Sequence, residues 1–464
     1  MLRKTLIVAI SGLVAASGSY ADSLQEVYLQ ALKNDHQIKA DEAAFLAGKE
    51  AVNIGRANLL PNVTARASYS KTEQDSVGAL FTGGPAVTTA IERENEAYTA
   101  TLNQPLFNMA AWYGYQQGKA QTKQAEYQFA AAQQSLILRV VESYLNVLQA
   151  LDTLSTAKAE QKALSHQLEQ TKQRFEVGLA AITDVHEAQA AYDSANARTL
   201  QGQGNVGIQF EALEVLTGKK ADAIAPLSDE LPVVNPTPAA RADWVDFALK
   251  NNYSLKVAKA SAESAKQGAK TAKAGHYPTI NGRISYTDYD DSNTDIIAQG
   301  TTTASDSRTV DGTTFAVTLD IPIYSGGGTS AKRRQAYQSW MQAQELLNKS
   351  QRDTIQQARS AHLQVVTDVA QVKAQKQALT SNMSAQEATQ AGYEVGTRNI
   401  VDVLQAQQRL YAAQRNYDNS RYAYILNNLR LKQAAGTLSP EDINSLDKWM
   451  TDSKSINRAD VDAL

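Results

Sequence analysis

The 464-residue chain contains no cysteine. That absence excludes a disulfide framework, thiolate metal sites and lipid attachment through an N-terminal cysteine. Past the first residues there is no run of about 18 apolar side chains, so no helix is expected to span a bilayer. Charge of either sign barely prevails: 45 Lys+Arg against 48 Asp+Glu give a net −3, which leaves no basic footprint for nucleic acid. The five histidines, His36, His166, His186, His276 and His362, form no i, i+4 pair and sit in no acid cluster. Neither a metal site nor a cofactor is expected. Nucleophile motifs, phosphate loops and dinucleotide fingerprints are missing as well, so an enzyme is not predicted.

Proline is scarce and unevenly placed. Of ten prolines, none falls between Pro105 and Pro226 or between Pro322 and Pro440, whereas Pro226, Pro232, Pro236 and Pro238 crowd together. The two proline-free windows are rich in Ala and Gln, a composition of long helices. In the first, Ile137, Val141, Tyr144, Leu148 and Leu151 alternate spacings of four and three, a heptad seam. A helix from Trp112 to Glu176 would extend roughly 100 Å at 1.5 Å per residue, a coiled-coil length.

At the start, Arg3 and Lys4 precede an apolar stretch and small residues ending at Ala21. This is the pattern of a secretory signal peptide. A length of 464 residues also exceeds what one core usually holds.

The rest is written twice. Ala31-Leu32-Lys33-Asn34 recurs as Ala248-Leu249-Lys250-Asn251; at the same offset Pro61 matches Pro278 and Pro105 matches Pro322. One residue is then gained, and Phe175-Glu176-Val177-Gly178 matches Tyr393-Glu394-Val395-Gly396. The predicted division is a signal peptide (1–21), a first repeat (22–225), a proline-rich linker or equatorial insert (226–240), a second repeat (241–438) and a C-terminal tail (439–464).

Four segments beside the paired prolines have period two. Val63, Ala65, Ala67 and Tyr69 alternate with polar residues; so do Tyr98, Ala100 and Leu102, then Ile280, Ile284 and Tyr286, then Phe315, Val317, Leu319 and Ile321. Strands are predicted at about 62–70, 98–106, 279–289 and 313–323, each of bilayer-crossing length. Residues 71–97 and 288–312 are rich in Thr, Ser, Gly and Asp and read as surface loops. Alternation alone would favour a half-buried sheet of a soluble domain. Arg66, Arg283 and Asp320 on the polar faces favour a water-filled lumen. Four strands cannot close a barrel, and lipid does not tolerate open edges. Two chains would give a filled eight-stranded interior, and three would give twelve strands and an aqueous passage.

Several strings carry a resemblance over nearly all of the chain. They include Gln104-Pro105-Leu106-Phe107, Arg174-Phe175-Glu176-Val177-Gly178-Leu179, Ala181-Ile182-Thr183-Asp184-Val185, Ile321-Pro322-Ile323-Tyr324-Ser325-Gly326-Gly327 and Gly392-Tyr393-Glu394-Val395-Gly396-Thr397-Arg398. In these the chain resembles the TolC family of outer-membrane efflux proteins. The resemblance implies an α+β membrane protein: a homotrimeric twelve-stranded barrel, four strands per protomer, continuous with a long periplasmic coiled-coil barrel. It implies the outer membrane of a Gram-negative bacterium and outer-membrane lipid as surroundings. It also implies a periplasmic adaptor and an inner-membrane pump of the resistance-nodulation-division, ABC or MFS type as partners. The function implied is a passive exit duct of efflux pumps and type I secretion systems for drugs, bile salts or proteins, gated by coiled-coil untwisting.

Residue by residue, the resemblance marks Gln173, Thr183, Asp184, Tyr393 and Arg398 as a gate latch. Exposed links of this kind are worth about 0–1 kcal/mol each, suited to release on docking. Asp402 would form an aperture ring of carboxylates; the position one turn later, acidic in the resembling proteins, is Gln405 here. Val177, Gly178, Leu179, Val395, Gly396 and Thr397 match adaptor-contacting tips. The competing reading is a secreted or periplasmic coiled-coil structural or adhesion protein.

Overall fold

A computed structural model of the chain describes residues 22–79, 82–84, 86–221, 223–297, 301–450 and 456–457. The expected signal peptide lies outside the described residues. The first half runs α1 (Leu24–Asn34), α2 (His36–Lys49), α3 (Ala51–Ala57), β1 (Asn62–Ala79), β2 (Ala86–Phe107), α4 (Met109–Glu176), α5 (Ile182–Thr217) and β3 (Ala223–Ile224). The second runs α6 (Arg241–Asn251), α7 (Tyr253–Ala274), β4 (Thr279–Ile297), β5 (Thr301–Asp320), α8 (Gly328–Glu394), α9 (Ile400–Ala435), α10 (Pro440–Asp447) and β6 (Ile456–Asn457). No helix among the described residues is long and apolar enough to cross a membrane.

The chain divides into two units. One holds residues 44–127 and 256–349 and is built on a four-stranded antiparallel sheet of order β1-β2-β4-β5. Register carries the sequence alternation across the sheet. Val63, Leu102, Ile284 and Phe315 form one row, and Ala65, Ala100, Tyr286 and Thr313 the next. The opposite face has Thr64, Thr101, Ser285 and Thr314 in one row and Asn62, Asn103, Arg283 and Ala316 in another. Phe315 is 74% exposed and Val317 72%, an apolar surface that a soluble chain would be expected to cover. β1 and β5 are the edges, each with one side unpaired within the chain.

The strands are longer than predicted. β1 pairs with β2 from Asn62↔Asn103 to Ala79↔Ala86, and β4 with β5 from Thr279↔Asp320 to Ile297↔Thr301. Most of 71–97 and 288–312, read above as loops, is therefore ladder. Period two is lost because both faces turn polar beyond the row Ala67–Tyr98–Asp288–Asp311. Thr, Ser and alternating charges still pair well across strands, and Lys71 bridges Glu92, Glu73 and Glu94.

The other unit holds residues up to 43, 128–255 and from 350 onward. Its core is the middle of α4. The seam residues Ile137, Val141, Tyr144, Leu148 and Leu151 are all buried, against Val206, Phe210 and Leu213 of α5, Ile425, Leu429 and Leu431 of α9, and Leu24 and Val27 of α1. The proline-rich stretch 226–240 carries no helix or strand of its own. Side chains hold it at several points. Tyr144 Oη takes the Ala225 N–H at 3.1 Å and lies 2.8 Å from its carbonyl; Tyr424 Oη does the same for Val234 at 3.2 and 3.0 Å. Arg421 pairs with Asp229 at 2.9 Å. The tail contributes α10, which buries Ile443 and Leu446, and β6, which pairs with β3.

The duplication is visible in the joints. Gly218 ends α5 against Asn34, and Gly436 ends α9 against Asn251. Gly436 has φ +72°, and a Cβ there would stand 2.4 Å from the Asn251 carbonyl carbon, so both conformation and space demand glycine. Gly436→Ala is expected to cost on the order of 1–3 kcal/mol and to lower the thermal midpoint of the helical circular-dichroism signal. Gly178→Ala, at φ +78° with nothing within 4 Å, should lower it less.

Candidate functional site

Each pair of long helices reverses through a five-residue turn. α4 ends at Glu176 and α5 begins at Ile182; α8 ends at Glu394 and α9 begins at Ile400. Both reversals place glycine in the left-handed region, Gly178 and Gly396 at φ +78°. The carbonyls freed at the helix ends are then met from within the turn. Leu179 N–H donates to Arg174 O at 2.8 Å, and Thr397 N–H to Gly392 O at 2.8 Å, the pattern that closes a helix with a left-handed residue. Val177, Leu179 and Val395 stand exposed at these tips.

The starts of α5 and α9 are capped by carboxylates. Asp402 Oδ2 accepts the Asn399 N–H at 3.4 Å while Asn399 Oδ1 accepts the Asp402 N–H at 2.8 Å, a reciprocal box. Asp184 Oδ2 accepts the Ala181 N–H at 3.4 Å, but alanine has no side-chain acceptor to return the bond. The second turn is thus better capped than the first, a difference of about 1 kcal/mol. The Asn399-x-x-Asp402 spacing is itself a capping-box signal in the sequence.

Behind the second turn lies a small core of Leu164, Ala191, Ala195, Tyr393, Ile400, Val403 and Leu404. Tyr393 is buried there, and the Arg174 guanidinium sits 4.7 Å from its ring centroid, a cation–π contact joining the two hairpins. Arg398 is 3.9 Å from Asp402 and its side chain passes over Gly392, where a Cβ would meet Arg398 Cγ at 2.9 Å. Gln173 donates to Glu169 at 3.4 Å. Thr183 and Gln405 are exposed. Within one chain, then, the five latch candidates are gathered at one end of the helices, and each has a local partner or open solvent rather than one another. Arg174 and Gly392, both in contact with latch residues, were not singled out from the sequence.

Further along the same helices a charge is fully enclosed. Glu160, 2% exposed, accepts Arg198 of α5 at 2.7 Å and Arg415 of α9 at 3.3 Å. One carboxylate thereby binds three helices, and removing either arginine would leave it under-compensated. A second polar group lies at a cavity of about 790 Å³ bordered by Asp152, Asp418 and Asp229 around Arg421. Burial pushes the Asp152 carboxyl up to about 6 despite a short hydrogen bond from Tyr422. Burial also raises Asp418, which takes hydrogen bonds from Gln414. No group of three or more metal-ligating side chains occurs among the described residues.

Comparison with known proteins follows the same two halves. The family described as "Outer membrane efflux protein" matches residues 27–219 and 244–437, one stretch in each repeat. The chain belongs to the outer membrane efflux protein family. Outer membrane protein TolC of Vibrio cholerae is 35% identical over 448 residues, covering 95% of this chain and 97% of that one. PrtF, a protease secretion protein of Dickeya chrysanthemi, is 27% identical over 100% of this chain and 98% of its own. The solved structure of the outer membrane protein VceC from Vibrio cholerae shares the fold, with a TM-score of 0.73 at 17% identity over 89% of this chain and 96% of that one. This outer membrane efflux protein is an exit duct of the efflux and secretion class, set in the outer membrane and extending into the periplasm. The family consists of channels and transport proteins rather than enzymes. Its exposed apolar sheet face is the lipid-facing surface, which removes the reading of a half-buried soluble sheet, and membership displaces the coiled-coil adhesin.

The buried acid yields a pH dependence. Asp152 has a folded pKa near 6 against an ordinary 3.8, so between those values the folded chain holds a proton that the unfolded chain has lost. Its contribution to stability is full below about pH 4 and is lost as pH rises through 6. The denaturation midpoint of this efflux protein is expected to fall between pH 4.5 and 7 by more than that of Asp152→Asn, the gap corresponding to roughly 1–3 kcal/mol.

Proposed function

We propose that three copies of this chain form one conduit whose periplasmic end is held shut at the α4–α5 and α8–α9 turns. The observation that carries the reading is a lipid-facing sheet of four strands with both edges open. Backbone groups cannot remain unpaired in hydrocarbon, so β5 of one chain pairs with β1 of the next. Three chains of four strands make a twelve-stranded barrel, wide enough for water, with Arg66, Arg283 and the Thr rows facing inward. The conduit itself carries out no chemistry. An inner-membrane pump of the resistance-nodulation-division, ABC or MFS type loads it, and a periplasmic adaptor docks at the exposed Val177–Leu179 and Val395–Thr397 tips. Drugs, bile salts or secreted proteins then leave without entering the periplasm.

In the closed state Arg398 and Tyr393 face the Gln173, Thr183 and Asp184 group across hairpins or between protomers. Exchange of the local partners described above for those links is supported by their clustering at one end of the helices. On the exposed Arg398 side the exchange is small in energy, since exposed pairs are worth about 0–1 kcal/mol, and docking can reverse it. Asp402 lines the aperture as a single carboxylate ring, already oriented by its cap to Asn399. Gln405 supplies no second ring.

Bilayer conductance tests the latch. The double substitution Tyr393→Phe, Arg398→Ser is expected to raise single-channel conductance severalfold, and unchanged conductance would remove these residues from the gate. Asp402→Asn keeps an acceptor for the Asn399 N–H while removing charge. It is expected to abolish divalent-cation block, already weaker in the parent than in a two-ring channel, without loss of the trimer. Recovery of the protein as a soluble periplasmic monomer would overturn the conduit itself.

A further inference from the structure

The four junctions between sheet and helices share a charge pattern that the conduit does not use. Residues 51–72, 97–125, 264–287 and 321–344 contain no Asp or Glu, yet carry Arg56, Lys123, Lys266, Lys273, Arg333 and Arg334 among others. At the other end of the strands the signs reverse, with Glu73, Asp75, Glu92, Glu94, Glu96, Asp288, Asp290 and Asp311. The cations concentrate in one groove. α7 presents Lys266, Lys270 and Lys273 at i, i+4 and i+7, while α8 presents Arg333, Tyr337 and Trp340 at the same spacing. Such positions fall on one helix face. Together with Arg334 they line a cavity of about 520 Å³ with no carboxylate in its wall.

Tyr337 and Trp340 pack edge to face, centroids 5.6 Å apart, and amphipathic rings favour the level of lipid headgroups. Lys273 lies six residues before β4 begins at Thr279, so the groove borders the lipid-facing band. Between β5 and α8, Ile321, Ile323 and Tyr324 are exposed, Ile323 at 93%. A solvated helix face would mix its signs, as α7 does at the far edge of the groove, where Lys266 meets Glu263 at 3.7 Å. Lys273, Arg333 and Arg334 face no carboxylate among the described residues.

We propose that this groove binds the phosphodiester headgroup of an anionic phospholipid in the periplasmic leaflet of the outer membrane, with the acyl chains along Ile321 and Ile323. Arg333 and Arg334 offer forked donors to phosphate oxygens, the lysines offset the charge, and the aromatic pair, one to two turns further from the sheet along α8, walls the headgroup side of the groove. The proposal rests on the sheet being the membrane-crossing element.

The test reconstitutes the purified full-length trimer into nanodiscs of equimolar phosphatidylglycerol and phosphatidylethanolamine and counts co-purifying lipid by native mass spectrometry. Phosphatidylglycerol is expected to be enriched about tenfold over phosphatidylethanolamine. Lys273→Gln/Arg333→Gln/Arg334→Gln should reduce that to parity while trimer and conductance persist. Arg333→Lys/Arg334→Lys should keep most of the enrichment. If the triple variant does not assemble, single Lys273→Gln and Arg333→Gln are read for a loss of about threefold each. Absence of enrichment in the parent, its retention in the neutralised variants, or its displacement by millimolar inorganic phosphate (a free-anion site) would each overturn the proposal. Failure of the parent to insert into either lipid would instead strike the membrane reading on which it rests.

Discussion

Everything in this chain answers to two unpaired strand edges. β1 and β5 each leave a line of N–H and C=O groups without partners inside the protomer, and each such group costs several kcal/mol in hydrocarbon. No substitution of side chains can relieve that cost, because the groups belong to the backbone. Only another copy of the same sheet can, so folding of the sheet and association of the chains are one event. The alternation of Val63, Leu102, Ile284 and Phe315 with a Thr face acquires its meaning from that closure. One face then meets lipid and the other encloses water.

At the hairpin turns the constraint is gentler, and a single carboxylate closes the second of them. Asp402 completes a capping box with Asn399. A carboxylate at the start of a helix is favoured by the helix dipole, so the fold itself fixes where this side chain points. Asp184, at the equivalent place in the first repeat, receives less support because Ala181 returns nothing. The duplicated hairpins therefore differ in how firmly their second helices are capped, one reciprocally and one by a single bond.

Much of this is legible in the sequence. The heptad from Ile137 to Leu151 marks a buried helix because its period is unbroken, and the seam is the core of its unit. The strands were legible only while one face stayed apolar. Beyond Tyr98 and Asp288 the two faces become equally polar and hairpin pairing, not pattern, keeps the backbone extended. Contacts distant in sequence left no trace. Glu160 meets Arg198 and Arg415 across 38 and 255 residues, and Arg174 meets Tyr393 from the opposite repeat. Resemblance identified Arg398 and Asp184 as interesting, yet their partners in the single chain are local ones that only geometry reveals.

The unequal charging of the two strand ends has a kinetic consequence. During assembly, the tips bearing Glu73, Glu92, Glu94, Glu96, Asp288 and Asp290 must traverse the hydrocarbon once. Carrying ionised groups through it is slow and unfavourable, but the same barrier opposes return. A barrel that has delivered these acids to the far side faces the same barrier against return, which favours that one orientation.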